Sequence, residues 1–501
     1  MGSESAPAPA SDRMRPFGQA MLEQFPLDTS YKNLNHGSFG TYPHSVVQAR
    51  QKFQTELDSI PDFFIRHKIP GYLDESRAAI AKYLNVPTKE VVFVKNATTG
   101  VNLVLRNLVY KPGDIIVYFS CVYGACEKTI AYLAETTPLR ARKVMLEFPC
   151  THEDILAGFV DVVRKARADG LNVKVALFDI IVSQPGVRFP FEKMVEICRE
   201  EGILSCIDGA HGVGHIPLDL AELNADFFVS NCHKWLFSPR GSAVFHVPLR
   251  NQHLIRSTMP TSWGFEPLPN ILAHAVPAPH PPVRFPSVVP STSTKSPFEM
   301  LFEFVATNDD TPYICIPAAL QFRQDVCGGE ARIMEYCEAL AFEGGNLVAR
   351  ILGTEVLCEP GRAEEAHTTR GASQLRRCAM VNVRLPIAVK DDDDDDDSSG
   401  GGANNAHDQS DRIRLIVNAS CADALARCIE TRLMYTHRTM APTFRLGAWL
   451  WVRLSAQIYL ELGDFEWFGG VMQGICESMT ERDERKDVDV DLGDLKITCS
   501  N

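Results

Sequence analysis

Short apolar runs ending on polar residues recur through the first half of this chain, interleaved with segments of helical spacing. This alternation restricts the fold more than any other feature. Val91–Val94 reads as a strand and Val101–Leu108 as a helix with apolar residues three and four apart; Asp114–Phe119 and Gly124–Glu135 repeat the pair. Val173–Ile181, Phe191–Glu201 and Gly202–Ile207 continue it, and Phe227–Ser230 and Ser242–Val247 flank a loop carrying His233 and Lys234. Such a chain covers both faces of its sheet with helices, so the pattern predicts a three-layer α/β domain around a mostly parallel sheet. Ligands in that architecture bind beyond the C-terminal ends of the strands, where Asp179 and Asp208 fall.

Helices are also expected at 43–59 and around Asp74–Leu84. A length of 501 residues predicts two structured regions rather than one. We assign a flexible tail and entrance segment to 1–30, a large domain to 31–315 and a smaller α+β domain to 316–501. Ten prolines between 260 and 297 predict an irregular excursion there. Helical spacing returns over 317–356, interrupted at Gly328-Gly329; Cys378–Leu385 resembles a strand and Ala419–Thr431 a helix. The run Asp391–Asp397 and the polar stretch after it predict a disordered acidic insertion near 390–411. That run lacks the alternating ligands and glycine of a calcium loop, so no metal is expected.

The formal charge of −13 gives no general attraction to nucleic acid or anionic membrane. No apolar run approaches the ~20 residues that span a bilayer. The 15 cysteines form no CxxC pair, which argues against a disulfide scaffold or a cysteine zinc site and for reduced, buried thiols. The start, MGSESAPAPASDR, lacks a secretory apolar segment. Residence in the cytoplasm is expected, with the nucleus a second compartment.

The most informative stretch is Ser230–Trp235 (SNCHKW). A lysine after a strand is an ordinary surface charge unless its amine is reachable and partly unprotonated, as Schiff-base chemistry requires. Asp208 stands 26 residues before Lys234, enough for a helix and a strand to return to the same sheet edge. It either caps the turn that follows or pairs with a cationic ring. His211 is either a satisfied structural histidine or part of the same site. Thr98 and Thr99, at a strand–helix junction, either make turn hydrogen bonds or help hold an anion with Ser230. Arg453, in the apolar run Trp449–Leu454, either forms a structural ion pair or grips a carboxylate bidentately.

Taken together, Leu34–Gly40 (LNHGSFG), Asn96–Gly100 (NATTG), Asp208–Gly212 (DGAHG), SNCHKW, Thr261–Phe265 (TSWGF) and Arg453–Ser455 resemble the fold-type I pyridoxal-phosphate superfamily. More narrowly they resemble the class V aminotransferase branch with cysteine desulfurases and isopenicillin-N-epimerase-like proteins. The resemblance implies that Lys234 carries the cofactor as a Schiff base and that Asp208 faces the pyridine nitrogen. It places His211 near the phenolic oxygen, Tyr123 over the ring, and Thr98, Thr99, Ser230 and His233 around the phosphate. Thr261 would come from the neighbouring subunit of a homodimer with shared sites. Arg453 would bind the substrate carboxylate, with Asn35 and His36 at the entrance.

Local segments such as Val122–Thr129 (VYGACEKT), Pro185–Pro190 (PGVRFP) and Ser455–Glu461 (SAQIYLE) further resemble fungal ergothioneine-pathway carbon–sulfur lyases. These act on hercynylcysteine sulfoxide, where His211 is often a glutamine. The expected reaction is cleavage of a cysteine sulfoxide conjugate by Cα deprotonation and β-elimination. Cysteine desulfuration, epimerisation, aminotransfer, a related fungal secondary-metabolism reaction and a noncatalytic dimeric binding role are the alternatives, separable by products and by cofactor absorbance.

Overall fold

The computed structural model describes residues 14–267, 295–391, 415–483, 489–491 and 496–498. Helices α1 (His44–Ser59) and α2 (Ile69–Tyr83) lead into a seven-stranded sheet. Its strands are β1 (Val91–Val94), β2 (Asp114–Phe119), β3 (Arg140–Val144), β4 (Asn172–Asp179), β5 (Leu204–Asp208), β6 (Phe227–Asn231) and β7 (Ala243–His246). They lie in the order β1-β7-β6-β5-β4-β2-β3. Strands β3, β2, β4, β5 and β6 pair in parallel, while β7 runs antiparallel to both its neighbours. Helices α3 (Ala97–Asn107), α4 (Gly124–Thr136), α5 (His152–Ala168) and α6 (Phe191–Glu200) are the crossovers. Two apolar clusters sit on opposite faces of the sheet, which is the three-layer α/β arrangement expected. Strand β3 and helix α5 escaped the sequence reading. Four of the five β3 side chains are exposed and three are basic, so no apolar pattern marks this charged sheet edge. Helix α5 opens on a Thr151–Asp154 capping box, a signal that was there to be read.

The chain then forms helices α7 (Ile316–Asp325) and α8 (Glu330–Leu352). A second sheet combines β8 (Met380–Lys390), β9 (Leu415–Asn418), β10 (Thr443–Leu446) and β11 (Trp449–Ser455) in the order β10-β11-β8-β9. Helices α9 (Ala419–His437) and α10 (Leu462–Asp483) accompany it. Helix α8 approaches this unit so closely that a Cβ on Gly344 would lie 2.4 Å from the Phe465 ring, and one on Gly345 2.4 Å from Val381. Helix α7, in contrast, packs on α1 and α2. By packing, the change from large to small unit therefore falls at Gly328-Gly329, whose φ values of +81° and +96° suit glycine, rather than at residue 316.

The segment 14–30 is no loose tail. Met21 and Phe25 are buried, and the Gly18 N–H donates to the Ile458 carbonyl at 2.7 Å. Residues 1–13, 268–294 and 392–414, which hold the rest of the expected tail, most of the proline-rich span and most of the acidic insertion, lie outside the described residues. Pro297 opens a helix, Pro297–Glu303, at a position where its missing N–H costs nothing. Among the described residues no helix is long and apolar enough to cross a membrane.

Candidate active site

The parallel strands aim their C-terminal ends at one cleft. Asp179 and Asp208 close β4 and β5 in direct register, so two buried carboxylates lie side by side. Asp208 accepts from the Ala210 N–H at 3.0 Å and from the Cys126 thiol at 3.5 Å. No hydrogen bond reaches the Asp179 carboxylate from the described residues. Burial raises both above the usual carboxylate range, and Asp208 pushes Asp179 well up. The two donors favour ionised Asp208, so the proton that the pair retains belongs on Asp179. Asp179 had been noted only as a strand end; its register with Asp208 becomes visible once the strands pair.

Lys234 follows β6 on the short helical turn Cys232–Trp235. Its Nζ lies 3.0 Å from His211 Nε2, and Trp235 Nε1 donates to His211 Nδ1 at 3.2 Å. Burial and the positive charge of Arg453 bring the amine down to about 8, against the opposing pull of Asp208 and Asp179. Burial, then Lys234 and Arg453, keep His211 neutral by lowering it well below its ordinary value. Tyr123 precedes α4, one turn before Cys126, and is 48% exposed.

At the other end, α3 begins beside β6. Asn96 caps it by accepting from the Thr99 N–H and hydroxyl at 2.8 and 3.0 Å, and Asn231 accepts from the Ala97 N–H at 2.8 Å. Thr98 has no side-chain partner among the described residues and lies in the first turn of this helix, a setting suited to an anion. His233 donates from Nδ1 to the Ser242 carbonyl at 2.9 Å, so its neutral ring keeps Nε2 as an acceptor. Ser230 does not join this cradle. Strand alternation turns it to the other face, where its hydroxyl donates to the Gly209 carbonyl and accepts from the Val213 N–H. Asn231, on the α3 face, was missed; counting the strand in twos would have found it. Thr261 lies on an exposed loop, its hydroxyl 3.2 Å from Ser257 Oγ.

Strand β11 delivers Arg453 to the same cleft. The guanidinium donates to the Ser183 carbonyl, to Asn35 Oδ1 at 2.9 Å and to Ser38 Oγ at 2.9 Å. It is 2% exposed, has no carboxylate partner among the described residues, and its Nε is unsatisfied. Burial lowers it to about 10. Asn35 thus orients the arginine. His36, expected at the entrance, is instead buried beneath the lysine turn: it faces the Lys234 carbonyl at 2.6 Å and the Tyr459 hydroxyl at 2.9 Å. The carbonyl can only accept, so the proton sits on Nε2 and the ring braces the turn. Gly40 closes this packing at φ +62°, where a Cβ would sit 1.8 Å from the His233 carbonyl.

A family model for aminotransferase class-V matches residues 40–264. An L-cysteine desulfhydrase-like protein of Epichloe uncinata is 40% identical over 468 residues, covering 93% of this chain and 98% of its own. The hercynylcysteine sulfoxide lyase of Schizosaccharomyces pombe is 26% identical, covering 92% and 98%. Among solved structures, the cystine C–S lyase C-DES, also known with glycine covalently linked to its PLP cofactor, matches with a TM-score of 0.63 and 18% identity over 89% of this chain and 98% of its own.

The residues fit that cofactor: an amine lowered to about 8 on Lys234, a hydrogen-bonded buried carboxylate on Asp208, and a helix N-terminus that carries the Thr98 hydroxyl. With this arrangement and those similarities, the chain belongs to the aminotransferase class-V family, in its cysteine desulfhydrase-like branch of pyridoxal-phosphate-dependent carbon–sulfur lyases.

Proposed function

We propose that the chain cleaves the Cβ–S bond of a cysteine S-conjugate, specifically hercynylcysteine sulfoxide, in a cytoplasmic homodimer whose Thr261 loops complete each other's sites. The observation that carries an amino-acid substrate is Arg453: a buried guanidinium met only by neutral oxygens, in the cleft that holds Lys234. An unneutralised buried charge costs several kcal/mol, about what a substrate carboxylate would recover.

Pyridoxal phosphate, when bound, supplies a protonated ring that takes up the electron pair left on the amino-acid α carbon. Asp208 holds the proton at the ring nitrogen. Arg453 fixes the α-carboxylate and so orients the Cα–H bond. Lys234, with its amine near neutrality, takes that proton. The Cβ–S bond then breaks and the pair leaves with sulfur as a sulfenate. Hydrolysis of the three-carbon fragment gives pyruvate and ammonia, and an external thiol reduces the sulfenic product.

Elimination is favoured over desulfuration by the cysteines. Transfer of sulfur to the protein needs a thiolate on a reachable loop. Among the described cysteines only Cys121 and Cys421 are not fully buried, and burial raises Cys121 well above its ordinary value. The test is mass-resolved product analysis of the pyridoxal-phosphate-loaded protein with hercynylcysteine sulfoxide, other cysteine conjugates, cysteine and cystine. Pyruvate and ammonia in equal amounts, fastest from the sulfoxide, are expected. Alanine with persulfide, an inverted amino acid or a keto acid of the whole substrate would overturn the reading. Light scattering, and mixed dimers of Thr261→Ala with Lys234→Ala chains, test the shared sites.

A further inference from the structure

Trp235 follows the cofactor lysine directly, and the bonds around it form a chain of three side chains. The indole N–H of Trp235 is a donor only, and it points at His211 Nδ1 from 3.2 Å. A ring nitrogen that accepts cannot carry a proton. Neutral His211 is therefore protonated on Nε2, the nitrogen 3.0 Å from Lys234 Nζ. An imidazole N–H facing an ammonium is donor against donor. Facing an amine, it meets a lone pair.

We infer that Trp235 is a positioning residue that fixes the tautomer of His211, so that an imidazole N–H holds the Lys234 amine in its unprotonated, accepting form. The indole is itself held in place. Its ring stacks on His215 with centroids 3.8 Å apart, and His215 is locked by the His211 carbonyl at one nitrogen and the Ala379 N–H at the other. Gly37 lets the N-terminal segment close over it, since a Cβ there would lie 3.2 Å from the indole. The relay lies in the large unit, its support reaches the small one through Ala379, and the Trp235–His211 contact is buried.

The groups facing this amine pull both ways. Asp208 from β5 favours the ammonium, as Asp179 from β4 does when it is charged, while burial and Arg453 from β11 oppose it. The neighbouring rings of His36, His215 and His233 are held neutral, chiefly by burial. With an ionised carboxylate this close, a donor aimed at the nitrogen is what tips a lysine toward the form that attacks an aldehyde and later takes a proton. The inference rests on Lys234 being the cofactor lysine and is independent of which sulfur compound is cleaved.

The test is the rate of pyridoxal phosphate uptake by the cofactor-free full-length protein as a function of pH, followed by cofactor absorbance without any substrate. Trp235→Phe keeps the ring and removes the N–H. We expect the uptake midpoint to move up by about one pH unit, the worth of one buried hydrogen bond. His211→Ala should raise it similarly, and adding Trp235→Phe to His211→Ala should change nothing more. An unmoved midpoint in Trp235→Phe, or an equal further shift in the double variant, would overturn the relay. Should Trp235→Phe fail to fold, ¹⁵N spectra of the wild-type histidine side chains decide. His211 must show a bare Nδ1 and a protonated Nε2; the reverse assignment refutes the inference. Normal uptake profiles with no lyase products would instead count against the proposed substrate alone.

Discussion

The seven-stranded sheet brings two carboxylates and an amine to the cleft, whereas the four-stranded sheet brings a guanidinium with no carboxylate beside it among the described residues. A second buried arginine shows what the latter means. Arg323, fully enclosed, grips both oxygens of Glu330 and donates to the Trp235 carbonyl at 2.8 Å and the Gly214 carbonyl at 3.0 Å. Its charge is neutralised within the fold. Arg453 is equally buried and hydrogen-bonded but not neutralised. Burial with a counter-ion marks structure, whereas burial without one leaves a charge that a ligand's carboxylate could neutralise.

The contrast breaks first at Lys234. Lys234→Ala should abolish the visible band of lysine-bound cofactor and lower turnover by at least about 10³-fold. A wild-type spectrum with near-normal turnover would move the chemistry elsewhere. The two carboxylates should then separate. Asp208→Asn removes the anion and should slow α-proton exchange about 10²-fold. Asp179→Asn mimics the protonated acid and should cost no more than about threefold. Equal losses in single-turnover exchange would show that the proton is not held on Asp179.

The two arginines give opposite phenotypes. Arg453→Met should weaken amino-acid binding roughly 30-fold, the worth of a charge-assisted pair, with the melting temperature held or raised. Arg323→Met should cost about 3 kcal/mol of stability in denaturant titration by stranding Glu330. A destabilised Arg453→Met with normal substrate binding would make Arg453 structural. A tenfold effect is expected in pH. Because the reactive amine is the unprotonated one and sits near 8, cofactor uptake should rise about tenfold from pH 7 to 9 and then level. A rise continuing beyond pH 10 would mean an ordinary lysine.

Periodicity alone revealed most of the large sheet, since most of its strands are short apolar runs: Val91–Val94, Asp114–Phe119 and Phe227–Ser230 stood out, while the basic edge strand β3 did not. Lys234, Asp208, His211 and Arg453 were legible because chemistry and motif coincide at them. Ser230 and His36 were misplaced for one reason. A residue type announces what a side chain can bond, but the face it occupies is set by strand alternation and by what packs across it. The order of strands and helices, the lysine and its carboxylate at one sheet edge thus follow from local pattern, which depends only on neighbours along the chain. That Asp179 lies beside Asp208, that Arg453 lacks a carboxylate while Arg323 has one, and that Trp235 determines which nitrogen of His211 is protonated were decided only by tertiary structure. Each depends on groups distant in sequence meeting where water is excluded, and there a single donor or missing counter-ion sets the protonation state.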